Sequence, residues 1–240
     1  MAYIGKTPTP VPLTSSDIVN GIITGEKLNA DVISSQTALG ATPADTDEFI
    51  ISDAGILKRM DYSHIKASSA LTKISTTTIS NSASATLDVF TSTYRNYRII
   101  GSGFTPATDG AALNVELFQA DNTEAPNYYW GGGENKSNGS DSGEFNSLGG
   151  DNEGTFQIFK DTDSGGDESQ ANFDMMVYQP QLAADTTIGV QSVGRANGTR
   201  GSVNNYGGFG GSTNIMTKIK FSFASGNIVN GVVTVYGLEN

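Results

Sequence analysis

From residue 68 onward, apolar and polar positions alternate in short runs separated by clusters of Gly, Asn, Asp and Ser. Leu113, Val115 and Leu117 share one side of an extended segment, with Gln119 next in the series. Ile219, Phe221 and Phe223 share another, and Val232, Thr234 and Tyr236 oppose Val233 and Val235. A period of two puts successive side chains on opposite faces of a strand, so these runs predict strands with one face on a core. The pattern predicts strands near 71–79, 86–89, 94–103, 111–119, 127–130, 154–160, 171–178, 186–195, 215–223 and 231–237. Short strands in such number, with turn residues between them, predict a mainly β fold: a jelly-roll-like β-sandwich over 68–240. Two stretches, 131–153 and 196–214, are rich in Gly, Asn and Ser and are predicted as long polar loops.

The first 67 residues have a different character. Pro8, Pro10 and Pro12 alternate with Thr and Val, and proline both fixes its own φ and disfavours helix at the residue before it. Residues 1–16 are therefore predicted as an extended arm, with Tyr3 and Ile4 among its contacts to a larger assembly. Asp17 has the chemistry of a helix N-cap, followed by Ile18, Ile22 and Ile23; Leu28, Val32 and Ile33 form a second apolar stripe. Glu48–Ser52 and Ile56–Met60 flank Asp53-Ala54-Gly55 and predict a small hairpin, with one helical turn over 61–67. Helices this short and a lone hairpin are marginal in water. The segment 17–67 is thus expected to be a connector that buries its stripes against copies of itself around a three-fold axis.

Composition narrows the function. The 240 residues carry 14 basic and 25 acidic side chains, a net charge of −11, with a pI near 4.4. Phosphate binding needs clustered Lys and Arg, so nucleic acid and anionic membranes are excluded as main partners. No run reaches the roughly 18 apolar residues of a membrane helix. Cysteine is absent, which removes thiolate chemistry, disulfides and Cys-ligated metals.

Candidate chemistry is sparse. His64, the single histidine, falls in the connector, and no G-x-S-x-G elbow accompanies it. Asp161, Asp163 and Asp167 alternate around glycines and offer oxygens to a hard cation. The EF-hand spacing fails, and an acidic turn is the competing reading. Paired carboxylates for glycoside hydrolysis would need two acids held across a cleft, and acid-rich loops are ordinarily just solvated. No cofactor and no catalytic residue is expected. Tyr128, Trp130, Tyr206 and Phe209 stand beside the two polar stretches, with Asn135, Asn138 and Asn205. Aromatic faces stack on sugar rings and amides bind hydroxyls, so these are the candidates for recognition of a glycan; the alternative for such aromatics, Tyr129 first among them, is the core.

MAYIGKTP at the start resembles the opening of tail-fibre proteins of podovirus-like phages. GIITGEKLNADVI is similar to a short fibre unit of the form G-x-I-T-x-x-K-L, present once, and DTDEFIISDAGILKRMDYSHIK to a further unit. The body, from YRNYRIIGSGFTPATDG to SGNIVNGVVTVYGL, resembles a fibre jelly-roll domain. The resemblance implies a non-enzymatic virion protein, a homotrimer docked through its N-terminus on a tail or portal-proximal protein and presenting the sandwich to the host. A head fibre, decoration or spacer is the alternative.

Overall fold

The computed structural model describes residues 12, 14–19, 22–23, 31–66, 70–137, 143–165, 170–196, 201–210 and 214–238. Internal packing divides the chain into two units, Met1–Ala67 and Ser68–Asn240.

In the first unit the two strands are β1 (Glu48–Asp53) and β2 (Ile56–Asp61), an antiparallel hairpin. Its turn residues Ala54 and Gly55 have φ of 50° and 81°, the left-handed pair that a two-residue hairpin turn requires. A 3₁₀ turn at Tyr62–His64 follows, and a four-residue helix spans Asp31–Ser34. The predicted helix after Asp17 does not appear among its described residues. Asp17 instead ends a 3₁₀ turn, Ser15–Asp17, and its carboxylate accepts from the Thr14 backbone N–H at 2.7 Å and the Thr14 hydroxyl at 2.6 Å. Asp17 is thereby the third residue of a capping box opened by Thr14 and not the N-cap of a following helix, and Ile18, Val19, Ile22 and Ile23 lie in irregular backbone. Tyr3, Ile4, Pro8, Pro10 and Leu28, and the side chain of Val32, lie outside the described residues; Pro12 is exposed. No described residue of this unit is buried.

The second unit is the mainly β, sandwich-like body. It contains β3 (Leu71–Ser82), β4 (Ala85–Asp88), β5 (Asn96–Pro106), β6 (Ala111–Phe118), β7 (Tyr128–Ser137), β8 (Gly143–Glu153), β9 (Phe156–Thr162), β10 (Ala171–Tyr178), β11 (Thr186–Gly194), β12 (Gly201–Gly210), β13 (Lys218–Phe223) and β14 (Ile228–Leu238). An eight-stranded sheet has the order β3-β14-β5-β10-β11-β12-β7-β8, and a four-stranded sheet the order β4-β13-β6-β9. All pairings are antiparallel. The pairs β4–β13, β5–β10, β6–β9 and β7–β8 are those of one long hairpin folded over on itself, which is the jelly-roll path. Two additions widen it: β3 and β14 extend the large sheet beyond β5, and the hairpin β11–β12 is inserted between β10 and β7.

The stretches expected as loops are therefore largely strand. Residues 131–153 supply most of β7 and all of β8, and β12 lies inside 196–214. Glycine is weak as a strand former, and the polar residues here fall on both faces, so alternation gave no sign of them. The other predicted strands form, with ends shifted by a few residues.

The core lies between the sheets. Phe104 and Phe173 from the large sheet meet Phe221 from the small one, with ring centroids 5.4, 5.5 and 6.0 Å apart. Phe156, Phe159, Leu113, Leu117, Ile99 and Met175 are fully enclosed around them. Each such side chain contributes about 1.5–3 kcal/mol by leaving water. Tyr97 is also enclosed; its hydroxyl accepts from the Thr91 N–H and donates to the Thr91 carbonyl, both at 2.7 Å.

Candidate functional site

Register decides which side chains of the glycine-rich strands face out. In β11, β12, β7 and β8 the pairs Gly189–Gly207, Gly207–Gly131 and Gly131–Gly149 lie directly opposite one another. Directly paired residues share a face, so these glycines form a row across four strands on the outer side of the large sheet. At about 4.8 Å per strand the row is roughly 14 Å long. A Cβ built on Gly189, Gly207 or Gly131 would meet no heavy atom closer than 3.9 Å, so the floor is open; on Gly149 it would be 3.1 Å from the Trp130 carbonyl.

The neighbouring rows form the walls. On one side Thr187, Phe209 and Tyr129 are paired in line. Phe209 and Tyr129 stack with centroids 5.2 Å apart and planes 26° from parallel, and the Tyr129 hydroxyl donates to Asn152 Oδ1 at 3.4 Å. On the other side stand Gln191, Asn205, Gly133 and Ser147, and beyond them Val193, Val203, Asn135 and Phe145. Phe145 is 69% exposed, and its ring lies where a Cβ on Gly133 would be. None of the outward positions of β7, β11 and β12 from Tyr129 to Asn135, Thr187 to Val193 and Val203 to Phe209 carries a charge. The outer face of the small sheet carries charged pairs, Lys218 opposite Asp88 and Lys220 opposite Glu116, of which Glu116 is buried.

The inward face of the same strands holds a buried polar chain. Glu134, fully enclosed, accepts from Ser202 Oγ at 3.1 Å and Asn146 Nδ2 at 3.4 Å, with Lys136 Nζ 3.2 Å away. Asn204 Nδ2 donates to Ser202 Oγ at 3.0 Å, the Tyr206 hydroxyl donates to Asn204 Oδ1 at 2.7 Å, and Gln157 Nε2 donates to Tyr206 at 3.4 Å. Burial raises the Tyr206 phenol well above its ordinary range, so it stays a neutral donor. Satisfied chains of this kind fix a single arrangement of the strands that carry them.

The predicted recognition residues divide by parity. Phe209, Asn135 and Asn205 face outward on this surface. Tyr128 and Tyr206 do not: both are core, Tyr128 fully enclosed with its hydroxyl accepting from the Leu117 N–H at 2.5 Å. Trp130 also turns inward, edge-on to Tyr206 at 5.5 Å and beside Phe156 at 6.1 Å. None of these three offers a free ring to an outside ligand. Tyr129, expected in the core, is the outward member of its run. Asn138 lies outside the described residues. The outward positions Tyr129, Gln191, Phe145 and the glycine row escape a reading of single segments, because only pairing between strands brings them side by side.

The cation candidates are occupied by side chains. Asp161 has Lys136 at 3.5 Å and Lys160 at 3.8 Å; Asp163 has Arg195 at 3.0 Å and accepts from the Gly165 N–H at 2.7 Å. Asp167 lies outside the described residues, among which no group of three metal-ligating side chains occurs. His64 is exposed on the first unit. No described helix is long and apolar enough to cross a membrane. Comparison of the chain with family models, with curated proteins and with solved structures gives no match.

Proposed function

We propose that this chain is a structural protein of a tailed-bacteriophage particle: a short trimeric fibre, held to the particle by residues 1–16, that presents its β-sandwich to the host surface and contacts a glycan with the outer face of β7, β11 and β12. The contrast between the two units carries the reading. The sandwich has a closed aromatic core, whereas the described residues of the first unit bury none of their side chains. A segment rich in Ile and Leu whose described residues form no core belongs in an assembly. The sandwich adds an uncharged surface on a chain of net charge −11, with stacked rings, amides and an open floor, which is the chemistry that receives a sugar. Repetition of a weak site on each copy supplies avidity. No cofactor and no catalytic group enters this reading, and the virion is its location.

A purely structural role, as a head fibre, decoration or spacer, differs at the sheet face, where another virion protein would sit in place of a glycan. The full-length protein is expected to have the mass of a trimer by light scattering and to bind host cells and glycan arrays. Tyr129→Ala or Phe209→Ala should weaken that binding about tenfold, corresponding to roughly 1.4 kcal/mol. A trimer that binds neither cells nor glycans selects the spacer role, and a monomer overturns the fibre.

A further inference from the structure

Lys136 of β7 stands between two carboxylates. Its Nζ is 3.2 Å from Glu134 Oε2 and donates to Asp161 Oδ2 at 3.5 Å. Glu134 is fully enclosed, and the Lys136 side chain is only 12% exposed. Asp161 belongs to β9, so the lysine comes from the large sheet and this carboxyl from the small one. Among the described residues no other lysine is paired with a carboxylate of the opposite sheet. Lys220–Glu116 joins directly paired residues of β13 and β6, and Lys160–Asp161 joins neighbours in sequence.

An ordinary ion pair needs no more than this contact, but two features go further. Asp161 has a φ of 53°, a left-handed backbone that residues other than glycine rarely adopt; such positions cluster at functional sites. Glu134 is already held in place, accepting from Ser202 Oγ at 3.1 Å and Asn146 Nδ2 at 3.4 Å, with the lysine beside the same carboxylate. An amine and a carboxyl fixed about 3–3.5 Å apart react as one molecule, at effective concentrations on the order of 10⁵ M or more. A carboxylate within hydrogen-bond reach of the nitrogen supplies the acid–base step.

We propose that Lys136 and Asp161 join in an intramolecular amide bond, Nζ to Cγ, with Glu134 moving the protons. One ammonium proton passes by way of Glu134 to the Asp161 carboxylate. The freed lone pair then attacks Cγ. Glu134 takes a second proton from the nitrogen and returns it to the departing oxygen, which leaves as water. A C–N bond forms, a C–O bond breaks, Glu134 ends as it began, and nothing is oxidised or reduced. Asp161, 38% exposed, gives the water its way out. This is a single self-modification, with no outside substrate, and it does not depend on the fibre reading. It ties β7 to β9 and supplies a covalent cross-link in a chain that has no cysteine. Without Glu134 the bond does not form, and Lys136 stays an ammonium lacking its enclosed partner.

Intact-mass spectrometry of the denatured full-length protein reads the bond. The native chain should be one water lighter than its sequence, with the termini fixed by a protease digest. The same digest should contain a branched peptide joining Lys136 to Asp161. Full mass in the native protein overturns the inference. So does a missing water without the branched peptide, as a cyclic imide at an aspartate would give. Lys136→Arg keeps the cation but not the nucleophile, and Asp161→Ala removes the carbon attacked; both should have full mass. Lys160→Arg should remain linked, and loss of the bond in that variant overturns the assignment to Lys136. Glu134→Gln keeps the size of the buried group and should leave most molecules unlinked. A fully linked Glu134→Gln protein with native circular dichroism overturns the part given to Glu134.

Discussion

Replacing Gly207 with valine separates the proposed binding surface from the fold. Gly207 sits in the middle of the glycine row, between Gly189 and Gly131, and a Cβ there comes no closer than 3.9 Å to any atom. Glycine within a strand costs about 0.5–1 kcal/mol relative to alanine, and a β-branched residue recovers up to about 1 kcal/mol on a pleated surface. The variant should thus gain about 1 kcal/mol, and a domain of this size moves its Tm by about 2–4 °C for that change. The same side chain fills the floor between the Phe209–Tyr129 wall and the Gln191–Asn205 wall, so glycan and cell binding should fall at least tenfold. Gly132→Val is the control. Gly132 is the next residue of β7 and faces inward, where a Cβ would collide with the Asn205 carbonyl and the Tyr206 ring, so that variant should lose several degrees. Calorimetry at fixed protein concentration reads the stability, and a glycan array reads the binding. A raised Tm with undiminished binding would remove the glycine row from the recognition surface. A lowered Tm for Gly207→Val would mean that the parity of β12 is wrong.

Two further outcomes follow from buried and half-buried carboxylates. Glu134→Ala should destabilise by about 3–5 kcal/mol, because removing one partner of an enclosed ion pair leaves the other, Lys136, without full compensation; a midpoint shift in urea unfolding reads this, and a loss under 1 kcal/mol would show the pair to be expendable. Glu124→Gln should stabilise at about pH 7.5 and lose that advantage near pH 3.5, compared by thermal unfolding against the native protein. Burial, and after it the Glu116 carboxylate, raise the Glu124 carboxyl above the ordinary glutamate range. A raised carboxyl favours the folded state below the unfolded value, about 4.3, and works against it once pH rises past the folded one. An equal effect at both pH values would refute that origin.

Legibility in the sequence followed the strength of alternation. β6, β13 and β14 were readable because Leu113, Val115 and Leu117, or Ile219, Phe221 and Phe223, must all turn to one side to leave water. β8 and β12 were not. In β12 the inward series is Ser202, Asn204, Tyr206 and the outward one Val203, Asn205, Gly207, Phe209, so polarity does not separate the faces. The inward polar residues are tolerated there because Glu134, Ser202, Asn204 and Tyr206 satisfy one another, and no local window shows that partnership. Asp17 was misplaced for a local reason: its carboxylate closes a capping box on Thr14, so it stands inside a turn that starts at Thr14 and does not cap a later one.

The sequence alone determined the class of the fold, the division near residue 67, the absence of thiol chemistry and the acidic character of the chain. Each follows from composition or from a period that a chain segment carries by itself. Tertiary structure decided the candidate surface. Gly131, Gly149, Gly189 and Gly207 are scattered between residues 131 and 207 and become one row only when β11–β12 inserts between β10 and β7. A strand's side chains alternate regardless of its neighbours, but which alternate set meets the core, and what stands beside it on the outside, is fixed by register, and a slip of one residue would exchange the two faces.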